Sequence, residues 1–116
     1  MQVMSPEPNR ELDTEQASFL FESLSSPVRL AVFQALSAMG TQGMTAGDLA
    51  RQLNLASNNL SFHLKTLSHS RLVSSQQEGR FVRYYANLEL MLALTRFLSN
   101  NCCRNSRECC DTQGAC

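Results

Sequence analysis

Cysteine is missing from the first 101 residues of this chain, and all five thiols, Cys102, Cys103, Cys109, Cys110 and Cys116, crowd into the last fifteen. A disulfide framework spreads its cysteines through the fold, so this placement argues against structural stapling and for soft-metal or redox chemistry. Long apolar runs are lacking too. No stretch approaches the roughly 18–20 residues of a spanning helix, and MQVMSPEPNRELDTEQ lacks the basic-then-apolar order of a signal peptide. A soluble, cytoplasmic protein with no membrane partner is therefore expected. No histidine or carboxylate pair accompanies the cysteines to activate one as a nucleophile, which argues against an enzyme. Internal repeats and low-complexity blocks are absent, and 116 residues, 43% of them hydrophobic, leave room for one small domain and not two.

Net charge is also absent, but the balance conceals an asymmetry. Through Ser26, Glu7, Glu11, Asp13, Glu15 and Glu22 stand against Arg10 alone. From Arg51 to Tyr85, Arg51, Lys65, Arg71, Arg80 and Arg83 stand against Glu78. One surface of such a chain suits nucleic acid even though the whole-chain charge does not suggest it.

Residues 1–10, with Pro6 and Pro8 and few apolar side chains, read as a mobile arm. Leu12, Phe19, Leu20 and Leu24 then recur at helical spacing. Ser26 before Pro27 is a cap followed by proline at the first helical position, opening a second helix with Leu30, Val32, Phe33 and Leu36 inward and Gly40 and Gly43 at its end. Thr45-Ala46-Gly47-Asp48-Leu49 starts a short third helix with Ala46, Leu49, Ala50 and Leu53 inward. After Asn54-Leu55-Ala56, Ser57 is expected to cap a fourth, with Leu60, Leu64 and Leu67 on one face. Two short helices joined by a tight turn form a helix-turn-helix candidate. Residues 72–77 and 80–85 flank Glu78-Gly79, predicting a two-stranded hairpin. Residues 88–98 (LELMLALTRFL) are helical but apolar on more than one face, which calls for a partner, most simply a second copy of the chain.

In a helix-turn-helix the second helix enters the major groove. With its leucines inward, the fourth helix leaves Ser57, Asn58, Asn59, Ser61, Phe62 and Lys65 outward. Asparagine pairs bidentately with adenine, serine serves bases or phosphates, and lysine suits a phosphate. Phe62 either packs on a thymine methyl or covers the domain surface. His63 has two candidate roles: contact with a phosphate, or packing beside the leucine row with a satisfied ring nitrogen. Arg80 and Arg83, followed by Tyr84 and Tyr85, suit a wing laid along the phosphate backbone, although a solvated hairpin with incidental arginines has the same spacing.

Four runs in unbroken order, Ser25-Ser26-Pro27-Val28-Arg29-Leu30, Asp48-Leu49-Ala50-Arg51-Gln52-Leu53, Leu60-Ser61-Phe62-His63-Leu64-Lys65-Thr66-Leu67, and Leu72-Val73 through Glu78-Gly79-Arg80-Phe81-Val82-Arg83-Tyr84-Tyr85, resemble the ArsR-type (arsenic repressor) metalloregulators over roughly Ala17 to Leu98. The resemblance implies a mainly α fold with a small β-hairpin wing, a winged helix-turn-helix. It implies a homodimer built from the first and last helices that binds a palindromic double-stranded operator and leaves it when a metal or metalloid binds. On this reading 11–100 form the DNA-binding and dimerisation domain and 101–116 a cysteine-rich metalloid-binding tail.

Many arsenic sensors of that family carry a cysteine-x-cysteine-aspartate motif at the start of the third helix; here the residues are Thr45-Ala46-Gly47-Asp48 and only the aspartate remains. Its zinc sensors use aspartate and histidine pairs on the terminal helix, where this chain has Glu89 as its one carboxylate and no histidine. Cys102, Cys103 and Cys109 instead resemble a variant arsenic-responsive group that binds beyond the last helix. Three soft thiolates suit the pyramidal coordination of arsenite, As(III), or antimonite, and no resident cofactor is required. In a continued helix Cys102 and Cys109 would stand about 10 Å apart along the axis, so the chain is expected to leave the helix near Asn100-Asn101 through a left-handed asparagine. Arg104 and Arg107 would help keep the thiols ionised. Cys110 and Cys116 leave other outcomes open: a four-thiolate site for cadmium, lead or zinc, a redox switch, or a thiol-rich carrier that binds no DNA.

Overall fold

The computed structural model describes residues 11–100 and residue 102. The arm expected over residues 1–10 lies outside them, as does the tail apart from Cys102.

Helix α1 spans Thr14–Ser23 and begins with a capping box. The Asp13 carboxylate accepts from the Gln16 backbone N–H at 2.8 Å, and the Gln16 side chain accepts from the Asp13 N–H at 2.9 Å. Leu12, expected inside this helix, lies just before its cap and is buried in the core, as is Ala17 at the fourth helical position, the placement of a hydrophobic staple. Helix α2, Pro27–Ala38, starts as the sequence predicts, with the Ser26 hydroxyl accepting from the Arg29 N–H at 3.3 Å and Pro27 at the first position. It buries Val32, Phe33, Ala35 and Leu36. Leu30 does not join them: it is 41% exposed, because at about 100° per residue it falls on the far side of the helix from Val32. A 3₁₀ turn over Gly40–Gln42 and Gly43, at φ 64°, follow.

Strand β1 is only two residues, Met44–Thr45, and the sequence offered no alternation long enough to reveal it. Thr45 then caps α3 (Ala46–Leu53) by accepting from the Asp48 N–H at 3.2 Å. Of the four α3 residues expected inward, Leu49 is fully buried, while Ala46, Ala50 and Leu53 are half-buried against the same core. Asn54 ends α3 in the left-handed conformation (φ 55°), and the Leu55 N–H donates back to the Ala50 carbonyl at 2.9 Å. Helix α4 covers Ser57–His69 with Leu60, Leu64 and Leu67 buried. Ser57 is its first helical residue, not its cap. That place belongs to Ala56, whose methyl accepts no hydrogen bond, so no side chain at the cap meets the first amides of α4; the Asn59 amide instead donates to its neighbour Asn58 Oδ1.

Strands β2 (Val73–Glu78) and β3 (Phe81–Ala86) make the hairpin, one residue out of step with expectation. Glu78 pairs with Phe81, leaving Gly79-Arg80 as the two-residue turn, with positive φ at Gly79 but not at Arg80, as in a type II′ turn. Antiparallel pairing of β1 with β3 completes a three-stranded sheet in the order β1-β3-β2. Helix α5 (Leu88–Ser99) closes the fold, capped by Asn87 and packed on α1. Of the two asparagines at which a left-handed exit is expected, Asn100 has right-handed helical dihedrals, φ −55° and ψ −38°, and Asn101 lies outside the described residues.

Among the described residues no helix is long and apolar enough to cross a membrane. One core joins all five helices and the sheet, from Leu12 and Leu20 through Val32, Leu36, Leu49, Leu60 and Leu64 to Val73, Ala86, Leu90 and Leu94.

Candidate nucleic-acid interface

Anchoring of α4 decides what it shows to solvent. Leu60, Leu64 and Leu67 bind it to the α2 and α3 side of the core, and it also packs on β2. Ser57, Asn58, Asn59, Ser61, Phe62 and Lys65 are all exposed. The structure thus brings six of the expected residues onto the outer side of one rigid helix. Asn58 Oδ1 accepts from the Asn59 backbone N–H at 2.9 Å, which orients that side chain while its second lone pair and amide nitrogen stay available for an adenine edge. Phe62 is 65% exposed, and its one ring contact is edge-on to His63, 5.6 Å between centroids. It covers almost nothing of the domain.

His63 does pack, but without a satisfied nitrogen. The residue is half-buried and Nδ1 is sealed from solvent with no hydrogen-bond partner. Burying such an atom unpaired costs free energy, so its position beside the leucine row reflects packing of the ring.

The wing carries its two arginines in different states. Arg80 is exposed in the turn. Arg83 is held down: Nε donates to Glu78 at 3.0 Å and Nη1 donates to the Gln42 carbonyl at 3.3 Å. The Glu78 hydrogen bond holds the guanidinium pKa above its already high ordinary value. Tyr84 packs against the core, and Tyr85 lies over Gly43. Asn87 joins the wing to what precedes and follows it. Its Nδ2 donates to the Arg71 carbonyl at 3.0 Å just beyond α4, its backbone N–H donates to the Leu72 carbonyl at 2.8 Å, and its Oδ1 accepts from the Leu90 N–H in α5 at 3.2 Å. An asparagine before an amphipathic run predicts the cap; nothing local predicts the bond across sixteen residues.

An open groove of about 430 Å³, lined by Phe19, Glu22, Ser23, Arg29, Lys65 and His69 with Thr66, flanks α4; its walls come from three helices, so no local run of residues marks it.

Of the thiols, Cys102 lies in the turn just past α5, exposed, its N–H donating to the Ser99 carbonyl at 3.0 Å. Cys103, Cys109, Cys110 and Cys116 lie outside the described residues, as do Arg104 and Arg107. Among the described residues no three histidine, cysteine or acidic side chains gather as a metal site.

A short helix, a tight turn and a second helix with a solvated polar face, followed by a hairpin with arginine at its tip, define a winged helix-turn-helix of the transcription-regulator class. Residues 24–76 match a helix-turn-helix domain family. The chain is 31% identical over 93 residues to the HTH-type transcriptional regulator YgaV of Escherichia coli (strain K12), covering 80% of this chain and 92% of that protein. It is 29% identical over 72 residues to the transcriptional repressor SdpR of Bacillus subtilis (strain 168), covering 62% of this chain and 77% of that one. The solved structure of an ArsR-like transcriptional regulator from Rhodococcus sp. RHA1 superposes with a TM-score of 0.63 at 25% identity, covering 87% of this chain and 93% of that chain. This protein belongs to the ArsR family of winged helix-turn-helix transcriptional regulators.

Proposed function

We propose that this regulator is a homodimeric repressor that binds a palindromic operator and is released when trivalent arsenic, or antimony, binds its C-terminal thiolates. The DNA half of this reading is carried by the exposed row Ser57, Asn58, Asn59, Ser61, Phe62 and Lys65 on a helix fixed from behind by three buried leucines. A row of that kind has no role in a metal carrier. Asn58 and Asn59 read bases, the serines and Lys65 hold phosphates, and Phe62, solvated as it is, suits a thymine methyl. With no capping side chain at Ala56, the Ser57 and Asn58 amides at the start of α4 are left to help with phosphates. His63 backs this face through its ring, and Arg80 with Arg83 completes the wing.

Dimerisation follows from apolar surface that the monomer leaves in water. Phe21 on α1 and Leu92 and Leu98 on α5 are exposed, and these two helices pack together, so a second copy is the simplest cover.

For the effector, Cys102 at the end of α5 supplies the first soft donor, with Cys103 and Cys109 completing three and Cys110 or Cys116 available beside them. Thiolates select thiophilic ions, and three of them match a lone-pair ion's pyramid. A ligand drawing the tail to the end of α5 acts on the dimer helix, and Asn87 ties the start of that helix to the end of α4. The operator is then lost through altered geometry of two reading heads, not through dissociation. Reciprocal coupling of this sort is typically worth about 1–3 kcal/mol, roughly 5- to 150-fold in operator affinity. The five-thiol count supports a second reading, a divalent soft metal such as cadmium, lead or zinc held by four thiolates. A gel shift on the upstream palindrome with arsenite, antimonite, cadmium, lead and zinc in parallel tests both: release by arsenite or antimonite alone is expected, and release by the divalent ions alone transfers the site to the second reading.

A further inference from the structure

The groove of about 430 Å³ beside α4 holds charged groups that the fold leaves unmatched. Arg29, near the start of α2, is half-buried and held from α1: its Nε donates to the Ser23 carbonyl at 2.7 Å, and the Nη donors of the guanidinium fork have no partner among the described residues. Lys65 and His69 stand at i and i+4 on one face of α4, and neither is in an ion pair among the described residues. Glu22 is the one carboxylate on the wall, and it too has no ion pair there. The hydroxyl protons between these groups are committed to backbone: Ser23 donates to the Phe19 carbonyl at 3.2 Å and Thr66 to the Phe62 carbonyl at 3.3 Å. Phe19, 39% exposed, lines one side of the groove edge-on to His69, with 6.4 Å between ring centroids.

These groups define the ligand they suit. Arg29 and Lys65 against Glu22 leave one net positive charge, which favours a monoanion over a doubly charged phosphate that Glu22 would repel. A guanidinium fork presents parallel N–H donors that match a carboxylate, and Ser23 already holds this one, so little ordering remains to be done on binding. Two neighbouring rings suit a flat aromatic body. The volume falls in the roughly 300–1,000 Å³ range of small-molecule clefts and is far more than a ringless oxyanion fills. We propose that this groove binds a small planar aromatic carboxylate, the acid on Arg29 and Lys65 and the ring against Phe19 and His69, and that occupancy withdraws Lys65 from the operator. The second half rests on the reading in which α4 lies on DNA with Lys65 at a phosphate. Ligand and operator then compete for one cation and weaken each other by the same factor. Every group involved belongs to α1, α2 or α4, so this response needs none of the cysteines.

Binding is measured first without DNA, by calorimetric titration of the full chain with naphthoate, its neutral counterpart naphthylmethanol, and inorganic phosphate, all at one ionic strength. A Kd of about 0.1–1 mM is expected for the acid in so open a groove, with the alcohol and phosphate weaker by about tenfold or more. Arg29→Lys, which keeps the charge and loses the fork, should bind naphthoate about tenfold less tightly. Phe19→Ala should bind it about fivefold less tightly, the scale of one ring pair. Phe19 is exposed, so this variant should melt like the parent and carries the test if Arg29→Lys does not fold. Failure of naphthoate to bind, equal binding of acid and alcohol, or parental affinity in Phe19→Ala overturns the site. Operator affinity is then read by fluorescence anisotropy of a labelled duplex with naphthoate at about ten times its Kd. A loss of about fivefold is expected, equal in the parent and Cys102→Ser. Unchanged operator affinity with the acid bound overturns the withdrawal of Lys65. Asn58→Ala, run alongside, reports on α4 itself: parental operator binding there overturns the major-groove reading, and the withdrawal with it, while the calorimetric site stands.

Discussion

Gly43→Ala is expected to be among the most damaging single-methyl additions in the protein. Gly43 sits at φ 64° and ψ −169°, a region essentially reserved for glycine, where another residue costs about 1–3 kcal/mol. Space adds a second cost. A Cβ built there would meet the Tyr84 carbonyl oxygen at 2.4 Å and the Tyr85 ring at 2.7 and 2.8 Å. The carbonyl belongs to backbone of β3 that pairs with β1, so it has no rotamer by which to escape, and forced overpacking of this kind costs about 1–3 kcal/mol more. Together the substitution should remove about 2–6 kcal/mol, a large share of the roughly 5–15 kcal/mol that holds a small domain together. Gly40 and Gly79 are internal controls. Both have positive φ, 58° and 60°, but nothing lies within 4 Å of a Cβ at either, so alanine there should cost about 1–2 kcal/mol for conformation alone. Urea unfolding followed by circular dichroism, at one fixed protein concentration because any dimer makes stability concentration-dependent, gives all three values. Equal losses at Gly43, Gly40 and Gly79 would refute the close approach of Gly43 to β3.

Asn87→Ala removes a helix cap and the bond to Arg71 in one step, and should cost about 1–3 kcal/mol by the same assay; it should also weaken the response of DNA binding to arsenite if α5 and α4 communicate there, and an unchanged response would exclude that link. Asn58→Ala or Asn59→Ala should cost on the order of 1–3 kcal/mol in operator binding and relax preference at one base pair per half-site, whereas sequence-blind losses would remove both from base reading. Cys102→Ser, Cys103→Ser and Cys109→Ser should each retain operator binding and abolish release by arsenite, with Cys116→Ser the mildest; retained release in the first three would reject the site, and monomers on sedimentation of the arsenite-loaded parent would reject release through geometry.

Much of the fold is written in local chemistry. Ser26-Pro27 can hardly be anything but a helix start, the Leu60, Leu64 and Leu67 spacing places one face of α4 inward, and Glu78-Gly79 between two alternating runs makes a hairpin. Those signals placed the reading helix and the hairpin, because caps, periodicity and turns act over a few residues; the family came from the resemblance of four longer runs of residues. Local chemistry was insufficient wherever two choices differed only in distant contacts. Leu30 is as apolar as Val32, and only the docking of α2 decides which of them meets the core. Two-residue β1 has no pattern of its own and exists because β3 passes beside it. Ser57 is a good cap, yet α4 begins at Ser57 itself with Ala56 in the cap position, one residue earlier than a cap at Ser57 requires. Arg80 and Arg83 look alike in the sequence, two basic residues on one hairpin. Tertiary structure alone separates them, since the Gln42 carbonyl that holds Arg83 arrives from 41 residues away while the hairpin turn leaves Arg80 in solvent.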